Sequence, residues 1–436
     1  MSQSPAFFVR KDILPQLPPP AGETGPVKWA RENLFSSPLN IFLTLLGFAA
    51  AFFLIYEFSP WFLHSVWNAS SLAECRQIVT ATWGEGANGA CWAVIKERWP
   101  QYLFGFYPSH LYWRPVLAFG LLLVAIAPVL FPALPTKMLW FSLLFPAVGY
   151  WLIWGGSVWV PVMAVMGFVV GYLAAKIIQP LAGTIVATIA AVVVPMVWWI
   201  VLAGPVADLV HGAVPIGLET VRSREFGGFL LAFTIGVTGI VFSLPLGVML
   251  ALGRQSDMFI VNKLSVGFIE FIRGVPLITL LFTASLLLNY FLPPGSDFDI
   301  ILRVIIMVTL FAAAYIAEVI RGGLAALPKG QYEAADALGL DYWKATRLII
   351  MPQALKISIP GIVSTFIGLF KDTTLVVFVG LLDPLKGITD AVRATTDWKG
   401  IYWEPYIFVG AIFFLICFGM SRYSMYLERK LKTDHR

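Results

Sequence analysis

Charged residues are scarce in this sequence. Lys, Arg, Asp and Glu make up 13% of its 436 residues, and 58% of the residues are hydrophobic, whereas a soluble domain is about a quarter charged. Between Pro115 and Leu218 the charged residues are Lys137, Lys176 and Asp208 alone. This composition excludes a soluble domain over that stretch, because such a domain needs a polar face towards water.

Motifs for nucleotide binding and for catalysis are also missing. The sequence holds no G-x-x-x-x-G-K-[ST] phosphate-binding loop, no H-E-x-x-H, no C-x-x-C and no G-x-S-x-G. Its four histidines, His64, His110, His211 and His435, are widely scattered. The sequence therefore predicts no catalytic centre, no metal site and no cofactor in this chain.

Long apolar runs take the place of charge. A helix needs roughly 20 apolar residues to cross the hydrocarbon core, and helices satisfy their own backbone hydrogen bonds in lipid. The predicted fold class is therefore all-α, a polytopic membrane protein with about ten transmembrane helices. The predicted spans are about 40–57, 116–133, 138–154, 159–175, 182–203, 227–252, 265–291, 300–321, 357–380 and 404–426.

The distribution of basic residues predicts the orientation. Residues 1–39 form a Pro-rich tail with four Lys and Arg, and the C-terminal tail is basic as well, so the positive-inside tendency places both termini in the cytoplasm. The exception is the loop 204–225, which is predicted to lie outside and carries Arg222 and Arg224. Three acidic residues of that loop offset these arginines. The net charge of +5 indicates this loop bias and no nucleic-acid partner.

Cysteine is rare, with three residues in the chain. Cys417 lies in an apolar run, as a small core residue would. Cys75 and Cys91 share the external loop predicted at 58–114. In an oxidising compartment they would form a disulfide, and the alternative is two free thiols. We predict the disulfide, because these two residues are the only cysteines of that loop.

A polar segment lies between two long apolar runs of the C-terminal half. It reads Glu333-Ala334-Ala335, then Gly339, then Ile349-Ile350-Met351-Pro352. The spacing Glu-Ala-Ala, three residues, Gly, nine residues, Ile-x-Leu-Pro resembles the cytoplasmic coupling loop of ABC importer permeases. Met351 in place of Leu is the only departure.

Flanking motifs extend this resemblance. They are Arg-Gly-Val-Pro-Leu at 273–277, Ala-Tyr-Ile-Ala-Glu-Val-Ile-Arg-Gly-Gly at 314–323 and Lys-Asp-Thr-Thr-Leu at 371–375. Over roughly 217–427 the chain is similar to the polar amino-acid permease family. The resemblance implies a type I ABC importer permease core at 217–436, with a cytoplasmic coupling loop at 322–356. A membrane extension of about five helices, 40–216, precedes that core.

The resemblance also implies partners. They are an ATPase subunit dimer that binds ATP and Mg, a second homologous permease subunit, and a periplasmic amino-acid-binding protein, all at a bacterial inner membrane. The length is most similar to the larger permeases of general L-amino-acid and glutamate/glutamine/aspartate/asparagine importers of Gram-negative bacteria. The rival function is an ion-coupled secondary amino-acid transporter, which leaves the coupling loop unexplained. A membrane enzyme would need a catalytic cluster that the sequence lacks.

The coupling loop has a predicted local structure. Residues 331–338 favour a short helix that Gly339 ends in a left-handed conformation, and Asp341 is a good N-cap for a second helix. Pro352 is expected to break or kink that second helix. The predicted product is two short helices at an angle, which a partner can push. The alternative is an ordinary pair of interfacial helices.

Ionisable residues within spans are functional candidates, because placing a charge in lipid costs at least ~2.5 kcal/mol. Glu270 and Arg273 share a helix face, and so do Glu318 and Arg321, since each pair is three residues apart. We interpret both pairs chiefly as structural ion pairs. The alternative is a gate or a direct substrate contact.

The sequence Lys371-Asp372-Thr373 lies some fifteen residues into its predicted span, close to the membrane midplane. A zwitterionic amino acid needs an anion for its ammonium group and donors for its carboxylate. Asp372 and Thr373 are candidates for those two roles in a substrate path. The alternative is a polar kink that only shapes the gate.

Overall fold

The structure is a computed structural model that describes residues 25–287, 290 and 299–431. Most of the predicted N-terminal tail, residues 292–298 between two predicted spans, and the basic end of the C-terminal tail lie outside the described residues. The chain forms two compact units. The first unit holds the described residues up to Asn68 together with Ala73–Trp92. The second holds Ala69–Leu72 and the described residues from Ala93 onward.

The first unit contains three helices: α1 (Gly25–Asn33), α2 (Pro38–Leu63) and nearly all of α3 (Leu72–Trp83). The hydroxyl of Ser37 caps α2 by accepting a hydrogen bond from the amide of Asn40 at 3.2 Å. No residue of α2 is buried, so this span shows apolar side chains on every side. A helix of that kind is stable only among lipids or partner helices.

The second unit begins with the helices of the predicted membrane extension. They are α4 (Ala93–Phe104), α5 (Trp113–Leu130), α6 (Leu139–Trp154), α7 (Trp159–Val197) and α8 (Ala203–Ala213), with a π-helical turn at Trp198–Leu202. Two short antiparallel strands, β1 (Gly156–Ser157) and β2 (Gly217–Leu218), pair between them.

The remaining helices of the second unit belong to the predicted permease core. They are α9 (Gly228–Arg254), α10 (Phe259–Gly274), α11 (Leu277–Phe282), α12 (Ile300–Ala325), α13 (Lys329–Ala337), α14 (Tyr342–Ala345), α15 (Met351–Asp372), α16 (Gly387–Arg393) and α17 (Trp403–Leu431). Extension and core pack together here; for example, the rings of Phe119 on α5 and Phe233 on α9 lie 5.2 Å apart. The predicted division at residue 216 stays a prediction.

The described helices agree with the predicted ten spans when one long helical segment is counted as two spans. Eight helical segments are long and apolar enough to span a membrane, or nine with one bent pair. One of them, Trp159–Ala213, reverses direction at Gly183, where φ is +80°. The indole of Trp198 donates to the carbonyl of Met163 at 2.8 Å, so the two arms lie side by side. Counting both arms gives ten spans, as predicted.

Two predicted spans differ from the structure in their course. The one predicted at 265–291 is a bent pair, Phe259–Gly274 and Leu277–Ser285, with an angle of 102° between its parts. Pro276 causes the bend, because it lacks an N–H and forces Val275 into an extended conformation. The one predicted at 357–380 is longer, since its helical segment covers Tyr342–Val379.

Helix α12 is the centre of the second unit. Over the most apolar 18 residues of this helix, 56% of the residues are buried, a larger share than in any other span of the described chain. A core cluster near its first turns includes Ile301, Val304 and Val308. A second cluster near its last turns includes Ile316 and Ile320. Because α9, α10 and α15 contribute to one or both clusters, motion of α12 has to involve them.

Candidate functional site

Helix α13 ends as the sequence predicts. Gly339 has a φ of +66°, a conformation that costs other residues roughly 1–2 kcal/mol. The amide of Leu340 donates to the carbonyl of Ala335 at 3.2 Å, and the amide of Gly339 donates to that of Asp336 at 2.9 Å. These two bonds form a Schellman motif, which satisfies the last carbonyls of the helix. The chain therefore turns sharply after the Glu-Ala-Ala motif.

The second predicted helix begins at Asp341. Its carboxylate accepts a hydrogen bond from the amide of Lys344 at 2.9 Å, which confirms the predicted N-cap. The Lys344 side chain also lies 2.8 Å from this carboxylate, and these hydrogen bonds hold the pKa of Asp341 below its ordinary value. Asp341 thus remains an effective cap at neutral pH.

The expected break at Pro352 is wrong, and the alternative, a kink, stays a prediction. Helix α14 continues through a π-helical turn, Thr346–Ile350, into α15, where Pro352 occupies the second position. Because the helix is continuous here, the missing N–H of Pro352 leaves one helical hydrogen bond unmade. The π-turn absorbs the irregularity. The coupling segment, defined as 329–352, is therefore one short helix followed by the first turns of a long membrane helix.

The coupling segment has a surface of exposed apolar and charged side chains. Glu333 and Ala334 are exposed. The large apolar residues Leu338, Tyr342, Trp343 and Leu348 are between 57% and 72% exposed. Exposed aromatic and aliphatic groups that cluster in this way mark interaction surfaces. Because they lie at one end of a membrane helix, the surface is suited to a partner outside the bilayer.

The opposite side of the coupling segment is anchored in the core. Ala335 is 1% exposed, and the side-chain amide of Gln353 donates to that of Gln331 at 2.9 Å, which joins α13 to α15. Ile350 belongs to the hydrophobic cluster that surrounds the last turns of α12, and Ile349 packs against that cluster. A force on the exposed surface is therefore passed directly to α12 and α15.

Helices α12 and α15 approach closely beside this anchor. A side chain on Gly323 would meet the hydroxyl of Ser358 and the carbonyl oxygen of Ala354, the latter at 2.6 Å. Small residues allow membrane helices to pack with their backbones in near contact. The two helices are thus expected to move as one body.

Five charged side chains meet where α9, α10 and α12 come closest to the coupling segment. The carboxylate of Glu318 lies 2.8 Å from Arg254 and 2.9 Å from Arg321. It also lies 3.4 Å from Arg273. Arg254 in turn contacts Glu270 at 2.8 Å. Since Glu318 is the most buried member, with 16% of its side chain exposed, it is the centre of this network.

The predicted pair of Glu318 and Arg321 is present, but the predicted pair of Glu270 and Arg273 is wrong. Among the ion pairs of the described residues, Glu270 bonds Arg254 and Arg273 bonds Glu318. Spacing along one helix shows which side chains share a face, whereas the partners here come from neighbouring helices. Arg254 joins three helices. No sequence signal reveals that role.

The predicted substrate-path residues lie where α15 ends. Asp372 is the last residue of α15, and Thr373 opens a 3₁₀ turn, Thr373–Val379. The methyl group of Thr373 lies 3.6 Å from where a side chain on Gly236 would begin. Gly236 is eight residues, or about 12 Å, from the start of α9 at the end opposite the coupling segment. The expected midplane depth stays a prediction.

Thr373 and Asp372 also differ in how accessible their polar groups are to a ligand. Thr373 is 1% exposed, and its hydroxyl donates to the carbonyl of Phe370 at 2.7 Å. In this conformation that hydroxyl is not offered to a ligand. Asp372 is half-buried. Its role in a substrate path stays a prediction, and Asp372 is the stronger of the two candidates.

The two cysteines of the predicted external loop lie together in the first unit. The structure joins Cys75 of α3 to Cys91 by a disulfide, with their Cα atoms 5.9 Å apart. Val66 forms a single β-bridge with Cys91 beside it. Both cysteines are at most 2% exposed. The arrangement accommodates the predicted bond, whose formation in the protein stays a prediction.

Comparisons with known proteins agree with this architecture. The profile of the family "Binding-protein-dependent transport system inner membrane component" matches residues 243–433. The chain is 63% identical over 433 residues to the glutamate/glutamine/aspartate/asparagine transport system permease protein BztC of Rhodobacter capsulatus, covering 99% of this chain and 100% of that protein. A solved structure described as an amino acid ABC transporter with histidines is 29% identical, with a TM-score of 0.42, over 46% of this chain and 91% of that one.

A second full-length relative has a similar name. The inner membrane amino-acid ABC transporter permease protein YhdY of Escherichia coli K12 is 40% identical over 433 residues, which cover 97% of this chain and 98% of that protein. Full-length identity of this size shows common descent of the extension as well as the core. The chain therefore belongs to the polar amino-acid permease family of ABC importers, as a multi-pass inner-membrane permease subunit.

Proposed function

We propose that this permease moves glutamate, glutamine, aspartate and asparagine inward across the bacterial inner membrane, driven by a separate ATPase. The observation that carries the proposal is the coupling segment, whose exposed apolar surface is anchored in the centre of the membrane core. The substrates are those named for the relative that is 63% identical over its whole length. No phosphate-binding loop occurs in the sequence, so the energy has to come from a partner.

The partner contact suggests how the energy is used. An ATPase dimer that closes on ATP displaces the surface around Glu333 and Trp343. Because Gln331 and Ile350 tie this surface to α12 and α15, the displacement moves both helices. The network around Glu318 links α12 to α9 and α10, so these helices follow, and the other end of the bundle opens to a periplasmic binding protein.

The proposal includes an assembly and an orientation. The permease pairs with a second, homologous permease, and an ATPase dimer lies below the two coupling segments. Both termini and the coupling segment lie in the cytoplasm, because the basic tails favour that side. Asp372, near the opposite end of the bundle, then lies close to the entrance, where it attracts the substrate ammonium group.

Reconstitution of the complete transporter tests the proposal. Proteoliposomes containing both permeases and the ATPase, supplied with the binding protein and radiolabelled glutamate, should accumulate substrate only when ATP is present on the ATPase side. Ionophores that collapse proton and sodium gradients should leave the initial rate within about twofold. Unlabelled glutamine, aspartate and asparagine should each compete for uptake.

Two results would contradict the proposal. Uptake that needs no ATP and stops with the ionophores would identify an ion-coupled secondary transporter. ATP-driven uptake that none of the three competitors reduces would leave the ABC mechanism in place and refute the substrate range. The two parts of the proposal therefore fail separately.

A further inference from the structure

A cleft of about 840 Å³ lies inside the second unit, between the predicted extension and the core. Helices α5 and α6 form one wall, and α9 and α12 form the other. Phe119 and Phe145 line it on the extension side, and Phe233, Val237 and Ile306 line it on the core side. All four helices are membrane spans. The cleft therefore lies at membrane depth. Neither the proposed ATPase coupling nor the proposed substrate path uses it.

The interior of the cleft is suited to hydrocarbon. On α9 its lining runs from Phe229 to Leu246, about 26 Å along the helix axis, which is most of a hydrocarbon core of ~30 Å. The hydroxyl of Thr234 is bonded to its own helix, to the carbonyl of Leu230 at 2.7 Å. A buried water needs two to four polar partners, and the lining gives it few. An apolar chain fills such a space better than water.

One end of the cleft is polar. Its lining includes Trp154 and Asp299. The indole of Trp154 donates to the hydroxyl of Ser223 at 2.8 Å, and that hydroxyl donates to the carboxylate of Asp299. The Asp299 carboxylate also caps α12 through the amides of Ile301 and Leu302, so its charge is well compensated.

Two exposed arginines accompany Ser223, whose hydroxyl belongs to this polar end. Arg222 and Arg224 are the neighbours of the buried Ser223 in sequence, and both are exposed. They are also the two arginines that depart from the positive-inside tendency. Of the acidic groups nearby, Glu219 lies 3.0 Å from His110, and Glu225 follows Arg224 directly. Cations at the polar mouth of an apolar cleft complement an amphiphile with an anionic head.

We infer that the cleft binds a phospholipid, with an acyl chain between α9 and α6 and the phosphate at Arg222 and Arg224. Arginine binds phosphate through paired, charge-assisted hydrogen bonds. Trp154 and Tyr150, both in the lining, are residue types that favour the headgroup level. The lipid fills the space between extension and core, and it gives the two outward arginines a function.

Photolabelling tests the acyl-chain part of this inference. The complete transporter is placed in nanodiscs that contain phosphatidylethanolamine with a diazirine on its acyl chain, and labelled positions are mapped by mass spectrometry. Labels should appear on the lining positions of 229–246 and 302–310. Val237→Phe fills the cleft and should reduce this labelling at least fivefold. Val241→Phe, on the same helix but outside the lining, should leave it unchanged.

Lipid retention tests the headgroup part. After exchange into lipid-free detergent, the complex should keep phospholipid, and the double variant Arg222→Gln, Arg224→Gln should keep at least threefold less. Lys399→Gln, which removes an exposed cation elsewhere on the same unit, should keep the wild-type amount. Wild-type retention by the double variant would overturn the inference. So would equal labelling of Val237→Phe and wild type.

Discussion

At the scale of single residues, Glu318 joins α9, α10 and α12. It lies within 3.4 Å of three arginines from three helices. Removing one member of a buried charge cluster leaves the others uncompensated, which typically costs 3–5 kcal/mol. We predict that Glu318→Gln lowers the free energy of unfolding by about 3 kcal/mol and lowers the thermal midpoint of the purified complex.

Glu270→Gln is the matched control for Glu318→Gln. Its side chain is 54% exposed and contacts Arg254 alone among the ion pairs of the described chain, and exposed pairs contribute about 0–1 kcal/mol. Thermal unfolding followed by tryptophan fluorescence compares the two variants. Equal midpoints would show that Glu318 is a surface charge without a central role.

Asp372 supports a sharper functional prediction. If its carboxylate binds the substrate ammonium group, Asp372→Asn removes a charged hydrogen bond worth about 1–3 kcal/mol, so transport should fall by one to two orders of magnitude. Thr374→Val is the control, because that hydroxyl is bonded within its own helix, to Lys371 at 2.9 Å. Uptake of glutamate, glutamine and aspartate is measured per folded molecule, and unchanged uptake would reduce Asp372 to a structural residue.

Residue roles were predictable from sequence only where they are local. Gly339 and Asp341 were predicted correctly, because a helix end depends on its neighbouring residues. The partner of Glu270 was predicted wrongly, since it comes from another helix. The span that holds Asp372 begins earlier than predicted, because a π-turn within an apolar segment leaves no clear sequence signal.

At the scale of elements, the coupling segment gives a prediction about transport. Substitutions in this segment should reduce uptake without reducing the amount of permease in the membrane. Glu333→Lys reverses an exposed charge at the proposed ATPase contact, and Gly339→Asp adds charge and bulk at a left-handed turn, where φ is +66°. Both should reduce uptake at least tenfold while membrane levels stay normal.

Gly330→Asp controls for the added charge in the coupling segment. A side chain at Gly330 meets nothing within 4 Å, and an acidic residue in the first turn of α13 is favourable to the helix. Uptake and membrane abundance are compared across the three variants. Normal uptake by Glu333→Lys and Gly339→Asp would exclude the coupling role.

The contact between α12 and α15 gives a prediction about packing. A side chain at Gly323 would lie 2.6 Å from the carbonyl oxygen of Ala354, so Gly323→Val forces the two helices apart and should cost 1–3 kcal/mol, as overpacking usually does. Gly322→Val is the control, since nothing lies within 4 Å of a side chain there. Thermal midpoints of the two purified complexes decide the matter, and a midpoint for Gly323→Val at or above the control would refute close packing.

The elements were largely predictable, because an apolar run of about 20 residues has few alternatives in a membrane. The hairpin at Gly183 was anticipated as two separate spans. The bend at Pro276 was missed, because hydropathy is continuous across Val275 and Leu277. The cleft between α6 and α9 was also beyond prediction, since it depends on how helices of distant sequence pack.

At the scale of the whole molecule, the two ends of the bundle differ in character. One end carries the coupling segment and the network around Glu318. The other holds Asp372, the polar mouth of the cleft, and a compact outer layer in which Gly227 bridges Leu382. In that layer the carboxylate of the buried Asp383 accepts a hydrogen bond from the amide of Gly387 at 2.7 Å. Burial raises the pKa of this carboxyl. Under the proposed function, energy input and substrate entry are separated by the length of α12.

The disulfide in the first unit provides the last prediction, because it depends on which side of the membrane that unit's loop occupies. Closing the 16-residue separation between Cys75 and Cys91 should stabilise the loop by about 3 kcal/mol, and only an oxidising compartment maintains such a bond. Mass spectrometry of unreduced peptides should find Cys75 and Cys91 linked, while Cys417 reacts with a thiol reagent after unfolding. Free thiols at both positions in protein taken from intact membranes would refute the disulfide, and a label that reaches the loop only from the cytoplasm would reverse the proposed orientation of every span.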